Sequence, residues 1–86
     1  MRTMLDPTGQ LLRELREARG LSPEEMPHAM LRAKIDRRSI PSGRTIRRVE
    51  ATGRMPHVRY AFGLAQFFGV ELIHLWPIDQ RVRAAA

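Results

Sequence analysis

Residues 42–50 contain three arginines whose side chains could bind phosphate groups and base edges. A guanidinium group presents paired N–H donors that match both phosphate oxygens and the O6/N7 edge of guanine. Ser42 is a residue type that caps helices, and Ile46 and Val49 follow at helical spacing. The pattern predicts a helix with an inward apolar side and an outward basic side suited to a DNA major groove. The outward residues are Arg44, Arg47 and Arg48.

Arginines on a helix also commonly form a solvated face, so the distribution of charge along the chain matters. The net charge is +6, and residues 32–54 account for all of the excess with eight basic and two acidic side chains. Such a concentrated positive segment indicates an extended anionic partner. An anionic membrane would also attract it, but no helix joins this segment to the bulky apolar face that interfacial insertion requires. Nucleic acid is therefore favoured.

The length and composition predict one small domain. A chain of 86 residues can bury a single core. The sequence has no cysteine, which excludes disulfides and thiolate metal sites. Its apolar runs are far shorter than the roughly 20 residues that span a bilayer, and its start lacks a signal-peptide core. We therefore expect a cytoplasmic protein with no membrane partner.

The first helix is predicted at about residues 10–20. Pro7 and Gly9 favour a flexible leader over residues 1–8. Apolar residues then recur at helical spacing from Leu12, and Gly20 ends the pattern.

The second helix is predicted directly after Ser22. Ser22 and Glu25 have the spacing of a capping box, and Pro23 suits a first helical position. Pro27 lacks a backbone N–H one turn further on. We therefore expect either a distorted first turn or a start displaced toward Pro27.

Three further helices are predicted after a connecting loop at residues 34–41, where Ile35 and Ile40 are expected to contact the core. Gly53 suits a left-handed helix end, and Pro56 can open the following helix. The predicted ranges are residues 42–51 for helix 3, 57–68 for helix 4 and 70–76 for helix 5, which Pro77 stops before a tail at residues 78–86.

Four segments occur in an order that is typical of one protein family. They are LRELREARGLS at residues 12–22, TIRRVE at 45–50, GRMP at 53–56, and Leu64-Ala65 leading to Phe68-Gly69-Val70. This order resembles the XRE/Cro/repressor family of helix-turn-helix regulators, and the arginine-rich style is similar to actinobacterial and actinophage members. The resemblance covers residues 9–77 and implies an all-α, five-helix DNA-binding domain of the lambda-repressor type.

The resemblance also implies roles for individual residues. Base edges would be approached by Ser42, Gly43, Arg44 and Arg48 from the first turns of helix 3. The DNA backbone would be contacted by Arg54 and Arg59, and Arg47 would contact either the backbone or a flanking base. Arg16 and Glu50 match a partly buried ion pair that fixes the tilt of the reading helix against helix 1.

The chain departs from the family in two places. The connection between helices 2 and 3 is longer than the family's short turn and carries Arg37 and Arg38, next to Arg32 and Lys34. It is either an added clamp on the DNA backbone or an ordinary surface loop. Pro23 stands where relatives often have a glutamine that contacts phosphate, so that contact is lost or replaced.

The sequence contains no pattern typical of catalysis or metal binding. His28, His57 and His74 lack the spacing and the neighbouring ligands of a zinc site. Glu24 and Glu25 are adjacent, so they point apart on a helix, and both suit the positive end of a helix dipole. No nucleophile motif or glycine-rich phosphate loop is present. We expect a protein that is not an enzyme and has no cofactor, metal or small-molecule ligand.

The aromatic residues lie outside the basic segment, so core packing or a subunit interface explains them better than base stacking. The apolar end of the domain favours a symmetric homodimer. Its two reading helices would lie about 34 Å apart on an inverted repeat. The predicted interface residues are Ile73, His74 and Trp76.

These features predict a sequence-specific regulator of transcription that binds double-stranded DNA. A Cro-like or immunity-repressor-like phage protein fits the single-domain size, acting in a host cytoplasm or at the bacterial nucleoid. Two alternatives remain open. One is a helix-turn-helix protein-interaction module, such as an antitoxin, antirepressor or polymerase adaptor, and the other is an architectural recombination factor.

Overall fold

Four α-helices and two 3₁₀ turns form the computed structural model, which describes residues 7–76. The α-helices are α1 (Pro7–Ala18), α2 (Met26–Arg32), α3 (Gly43–Thr52) and α4 (Val58–Phe68). The 3₁₀ turns are Arg37–Ser39, between α2 and α3, and Leu72–His74, after α4. Residues 7–76 contain no strand, so the all-α class predicted from the sequence is confirmed for this part of the chain.

Helix α1 begins at Pro7, earlier than the predicted start near Gln10. Residues 7 and 8 are therefore helical, while the rest of the predicted leader lies outside the described residues. A proline is tolerated in a first helical turn because the N–H it lacks would have no intrahelical partner. A Cβ built on Gly9 would lie 2.8 Å from the carbonyl oxygens of Val49 and Glu50 in α3. The glycine expected to delay α1 instead lets α1 and α3 pack closely.

The capping box predicted before α2 is confirmed. The N–H of Glu25 donates to Ser22 Oγ at 3.2 Å, and the N–H of Ser22 donates to Glu25 Oε1 at 2.8 Å. Residues 23–25 form a turn, and the regular helix begins at Met26 with Pro27 in its first turn. The displaced start is thus the alternative that the structure adopts.

The connection between α2 and α3, residues 33–42, packs directly on α4. Lys34 has a left-handed backbone with φ 66°, and Ile35 is buried in the core as predicted. A Cβ built on Gly63 of α4 would lie only 2.0 Å from the carbonyl oxygen of Ser39. The absence of a side chain at Gly63 is therefore what allows the first 3₁₀ turn to lie against α4.

The α-helix predicted at residues 70–76 is not found. Gly69 ends α4 with φ 69°, and Glu71 is extended, so only the single 3₁₀ turn Leu72–His74 forms before Trp76. Pro77 and the predicted tail lie outside the described residues.

The core is formed by all four α-helices together with the loops that join them. Trp76 belongs to it at 8% exposure. None of the helices within residues 7–76 has the length and apolar content needed to cross a membrane. The buried apolar residues are Leu12, Met26, Met30, Ile35, Ile46, Val49, Met55, Ala61, Leu64, Ala65, Phe68, Leu75 and Trp76.

Candidate nucleic-acid interface

Helix α3 is capped and terminated as the sequence predicts. Ser42 Oγ accepts a hydrogen bond from the N–H of Thr45 at 3.1 Å. At the other end Gly53 has φ 75°, and its N–H donates to the carbonyl of Val49 at 2.7 Å. Ile46 and Val49 are buried, as predicted. One side of α3 is therefore fixed in the core, and the orientation of its other side is set.

Arg44 and Arg48 lie on that other side and are exposed. Residues four apart are neighbours on one face of a helix, so the two guanidinium groups project from adjacent turns. Within residues 7–76 neither side chain takes part in an ion pair. Both groups are therefore placed to meet an anionic partner that approaches α3 from outside.

Arg47 differs from these two because it forms an ion pair with Glu24 in the turn before α2. The same region of the chain touches the start of α3: a Cβ built on Gly43 would lie 3.1 Å from the Cα of Glu24 and 3.0 Å from the carbonyl oxygen of Pro23. Gly43 and Arg47 are four residues apart and share this side of α3. Arg47 thus lies at the edge of the exposed face, next to α2.

The ion pair between Arg16 and Glu50 joins α1 to α3 with two hydrogen bonds. Arg16 Nε donates to Glu50 Oε2 at 2.7 Å, and Nη2 donates to Oε1 at 2.9 Å. The remaining terminal nitrogen, Nη1, donates to the carbonyl of Leu21 at 2.7 Å. Hydrogen bonding to Glu50 raises the pKa of the Arg16 guanidinium, outweighing the opposite effect of burial. The geometry implied by the resemblance is therefore present.

Two further predicted contacts are exposed, Arg54 in the turn between α3 and α4 and Arg59 in the first turn of α4. The N–H of Arg54 donates to Thr52 Oγ1 at 3.1 Å, which fixes the backbone where the turn begins. His57, rather than Pro56, marks the start of α4, because its Nδ1 accepts from the N–H of Arg59 at 3.1 Å. The Arg59 guanidinium carbon lies 5.2 Å from the centre of the Tyr60 ring.

Arg37 and Arg38, the possible clamp residues, lie in the first 3₁₀ turn and are exposed. Asp36 caps this turn by accepting a hydrogen bond from the N–H of Arg38 at 2.9 Å. Arg37 lines an open pocket of about 260 Å³ together with Pro27, His28, Leu31 and Ile40. Arg37 therefore faces α2 and lies on a different element from Arg44 and Arg48.

The predicted dimer residues are divided by the structure. Ile73 is 43% exposed and His74 is exposed, whereas Trp76 belongs to the core of its own chain. Trp76 is therefore corrected to a core residue, because residues 70–76 pack against the helices instead of continuing as a fifth helix. Phe62 on α4 is the most exposed large apolar side chain among residues 7–76, at 55%.

Two contributors to this surface were missed from the sequence. Glu24 was interpreted only as a helix-dipole residue, although it contacts Arg47. His57 was considered only as a metal ligand, although it caps α4. A carboxylate before the second helix, together with an arginine one turn into the third, could have indicated the first contact. Nothing local marks His57 as a cap, because imidazole is an uncommon one.

No family model, no curated protein and no solved structure matches the chain. Within residues 7–76 no three histidine or carboxylate side chains come together as a metal site would require. The arrangement of α3 and the exposed arginines is therefore the basis for a functional interpretation.

Proposed function

We propose that this protein is a helix-turn-helix regulator that binds a specific double-stranded DNA site and represses transcription. In this proposal α2 and α3 form the helix-turn-helix, with an extended connection between them, and α3 enters the major groove. The observation that carries the proposal is the pair of exposed guanidinium groups of Arg44 and Arg48, which form no ion pair within residues 7–76, on a helix whose opposite side is held by the core.

The rigidity of α3 supports reading of sequence. Base discrimination requires that the donors keep a fixed register with base edges, and bidentate arginine contacts with guanine depend on that geometry. The Ser42 cap stabilises the first turn of α3, and the two hydrogen bonds from Arg16 to Glu50 and the close approach at Gly9 fix α3 against α1. Arg44 and Arg48 thus project from a helix that does not need to be ordered by the DNA.

The remaining basic residues favour contacts with the sugar-phosphate backbone. Arg54 precedes α4 and Arg59 lies in its first turn, where the positive end of the helix dipole favours a phosphate group. Such contacts set affinity and register but carry no sequence information. Arg37 and Arg38 lie on the connection beside α2 and are proposed as flanking backbone contacts. Ser42 and Gly43 bring the start of α3 toward the base edges.

The proposed working form is a homodimer on an inverted repeat, because two copies related by a two-fold axis place two α3 helices in successive major grooves. Ile73 and His74 are the exposed residues of the predicted interface. A dimer seated on a promoter would block polymerase, which is the proposed mode of repression. The site of action would be the cytoplasm of a bacterium or of a phage-infected host.

The deciding experiment is selection of bound sites from a random duplex library by the wild-type protein and by Arg44→Ala and Arg48→Ala. We expect the wild type to recover one motif, with two-fold symmetry if the dimer forms. Each variant should lose base preference at particular positions of that motif. Arg13→Ala removes one exposed charge from α1 and serves as the control that should leave the motif unchanged. A motif unaltered by loss of Arg44 and Arg48 would refute the assignment.

A second candidate is favoured by the exposed apolar side chains of Phe62 and Ile73, which could meet another protein. In that case the domain is an interaction module such as an antitoxin or polymerase adaptor. The two candidates differ in how binding to random duplex DNA depends on salt. Phosphate contacts release counterions and give a steep slope, whereas an adaptor gives almost none.

A further inference from the structure

Glu24 is an acidic residue in contact with the basic surface proposed to meet DNA. Two separate observations place it there. Its carboxylate forms an ion pair with Arg47, and its Cα lies 3.1 Å from the position that a Cβ on Gly43 would occupy. Gly43 and Arg47 share one side of α3, so the main chain and the side chain of Glu24 lie beside the same edge of the helix.

The contact is exposed at both ends, with side-chain exposures of 56% for Glu24 and 58% for Arg47. Solvent screens such a pair, so it adds little to folding stability. Its effect on binding differs, because a phosphate that takes the Arg47 guanidinium must first displace the Glu24 carboxylate or come close to it. The Glu24 carboxylate and the phosphate then compete for the Arg47 guanidinium, and both interactions are weak and exchangeable.

We propose that Glu24 restrains Arg47 and so lowers the affinity of the protein for duplex DNA of any sequence. This inference rests on the proposed function and adds to it a residue that sets the strength of one backbone contact. Arg44 and Arg48 have no such partner within residues 7–76 and remain available for base edges. Weakening one backbone contact while leaving the base contacts intact lowers the affinity for specific and random duplexes by the same factor, because phosphate contacts do not depend on sequence.

The test is the variant Glu24→Gln, which keeps the shape of the side chain and removes its charge. The probe is a random-sequence duplex, with affinity measured over a range of salt concentrations. We expect binding to tighten by about two- to fivefold, as for loss of one exposed ion pair. The salt slope should steepen by roughly 0.9, the value for one additional phosphate contact.

One control variant and one mutant background isolate the effect of the Glu24 charge on Arg47. Glu14→Gln makes the same change in net charge on α1, where Glu14 accepts a hydrogen bond from Gln10, and should change affinity less than Glu24→Gln does. In a chain that already carries Arg47→Ala, the Glu24→Gln change should have no effect beyond that of Glu14→Gln. Circular dichroism on each variant confirms that the helices are retained.

Three results would overturn the inference while leaving the proposed function in place. Equal gains from Glu24→Gln and Glu14→Gln would show a general effect of charge. A loss of affinity would show that Glu24 instead orients Arg47 for binding. If Glu24→Gln tightened duplex binding as much in the Arg47→Ala background as in the wild type, Glu24 would act by repelling phosphate directly. By contrast, absence of salt-dependent duplex binding by the wild type would remove both the proposed function and this inference.

Discussion

Arg16 of α1 and Glu50 of α3 form a bidentate ion pair with hydrogen bonds of 2.7 and 2.9 Å. The two side chains are only 11% and 4% exposed. Arg16 also donates to the carbonyl of Leu21, so a single guanidinium ties together α1, the turn that follows it and α3. Removing one partner of a pair this well shielded is strongly destabilising, because the other charge would remain buried and unpaired.

Replacement of Arg16 by alanine should therefore lower the free energy of unfolding by about 2 to 3 kcal/mol, below the full range for a completely buried pair. Arg16→Lys should have a smaller effect, because an ammonium group keeps the charge but not the two parallel bonds. Urea unfolding at neutral pH measures both. Arg13→Ala is the matched control, since Arg13 lies 3.5 Å from Glu50 but is 56% exposed. Equal midpoints for the variants at positions 13 and 16 would contradict the prediction.

Gly63→Ala should destabilise the protein by about 1 to 3 kcal/mol, the usual effect of overpacking. The added Cβ would lie 2.0 Å from the backbone oxygen of Ser39, so the connection between α2 and α3 has to move away from α4. Thermal unfolding measures the loss. Gln66→Ala, an exposed change on the same helix, should leave the midpoint almost unaltered. An unchanged midpoint for Gly63→Ala would show that the connection does not pack as described.

Lys34→Gly should stabilise the protein, by about 1 kcal/mol. Lys34 has φ 66°, a left-handed conformation that is strained for a residue with a Cβ and free of strain for glycine. Lys34→Ala separates this effect from the loss of charge, because alanine keeps the Cβ and removes the ammonium group. Only the glycine variant should shift the urea midpoint upward. Equal shifts for glycine and alanine would assign the effect to charge.

The capping box before α2 should make stability depend on pH through Glu25. Hydrogen bonding from Ser22, its backbone N–H first, lowers the pKa of the Glu25 carboxyl below the usual value of 4.5. A depressed folded-state pKa gives stability that is present above the unfolded value and is lost as pH falls through the folded value. The difference in unfolding free energy between wild type and Glu25→Gln should thus be constant from pH 7 to 5 and shrink in more acidic solution. A difference independent of pH would contradict this.

Alanine at Arg44 or Arg48 should weaken binding to the selected site by about 1 to 3 kcal/mol and relax base preference there. Arg54→Ala should instead weaken binding to selected and random duplexes by the same factor, because phosphate contacts do not depend on sequence. Fluorescence anisotropy with both duplexes at one salt concentration measures the two ratios. If Arg54→Ala lowered the ratio of selected to random binding more than Arg44→Ala does, the proposed roles of the two residues would be reversed.

The sequence was sufficient for features that depend on residues close together in the chain. The Ser22 and Ser42 caps, the left-handed Gly53 and the buried Ile46 and Val49 all follow from spacing within one or two helical turns. The errors arose where a long-range contact overrides a local tendency. Gly9 was interpreted as a helix breaker, but its missing side chain makes room for the backbone of α3.

What the sequence by itself determined is therefore the set of helices through α4, the Ser22 and Ser42 caps, and which side of α3 is basic. The tertiary structure decided that Trp76 is a core residue, that Ser39 lies on Gly63, and that Glu24 holds Arg47. Helix periodicity and capping depend on neighbours three or four positions away, which the sequence places directly. Contacts between residues more than twenty positions apart depend on how the helices pack, and no local pattern contains that information.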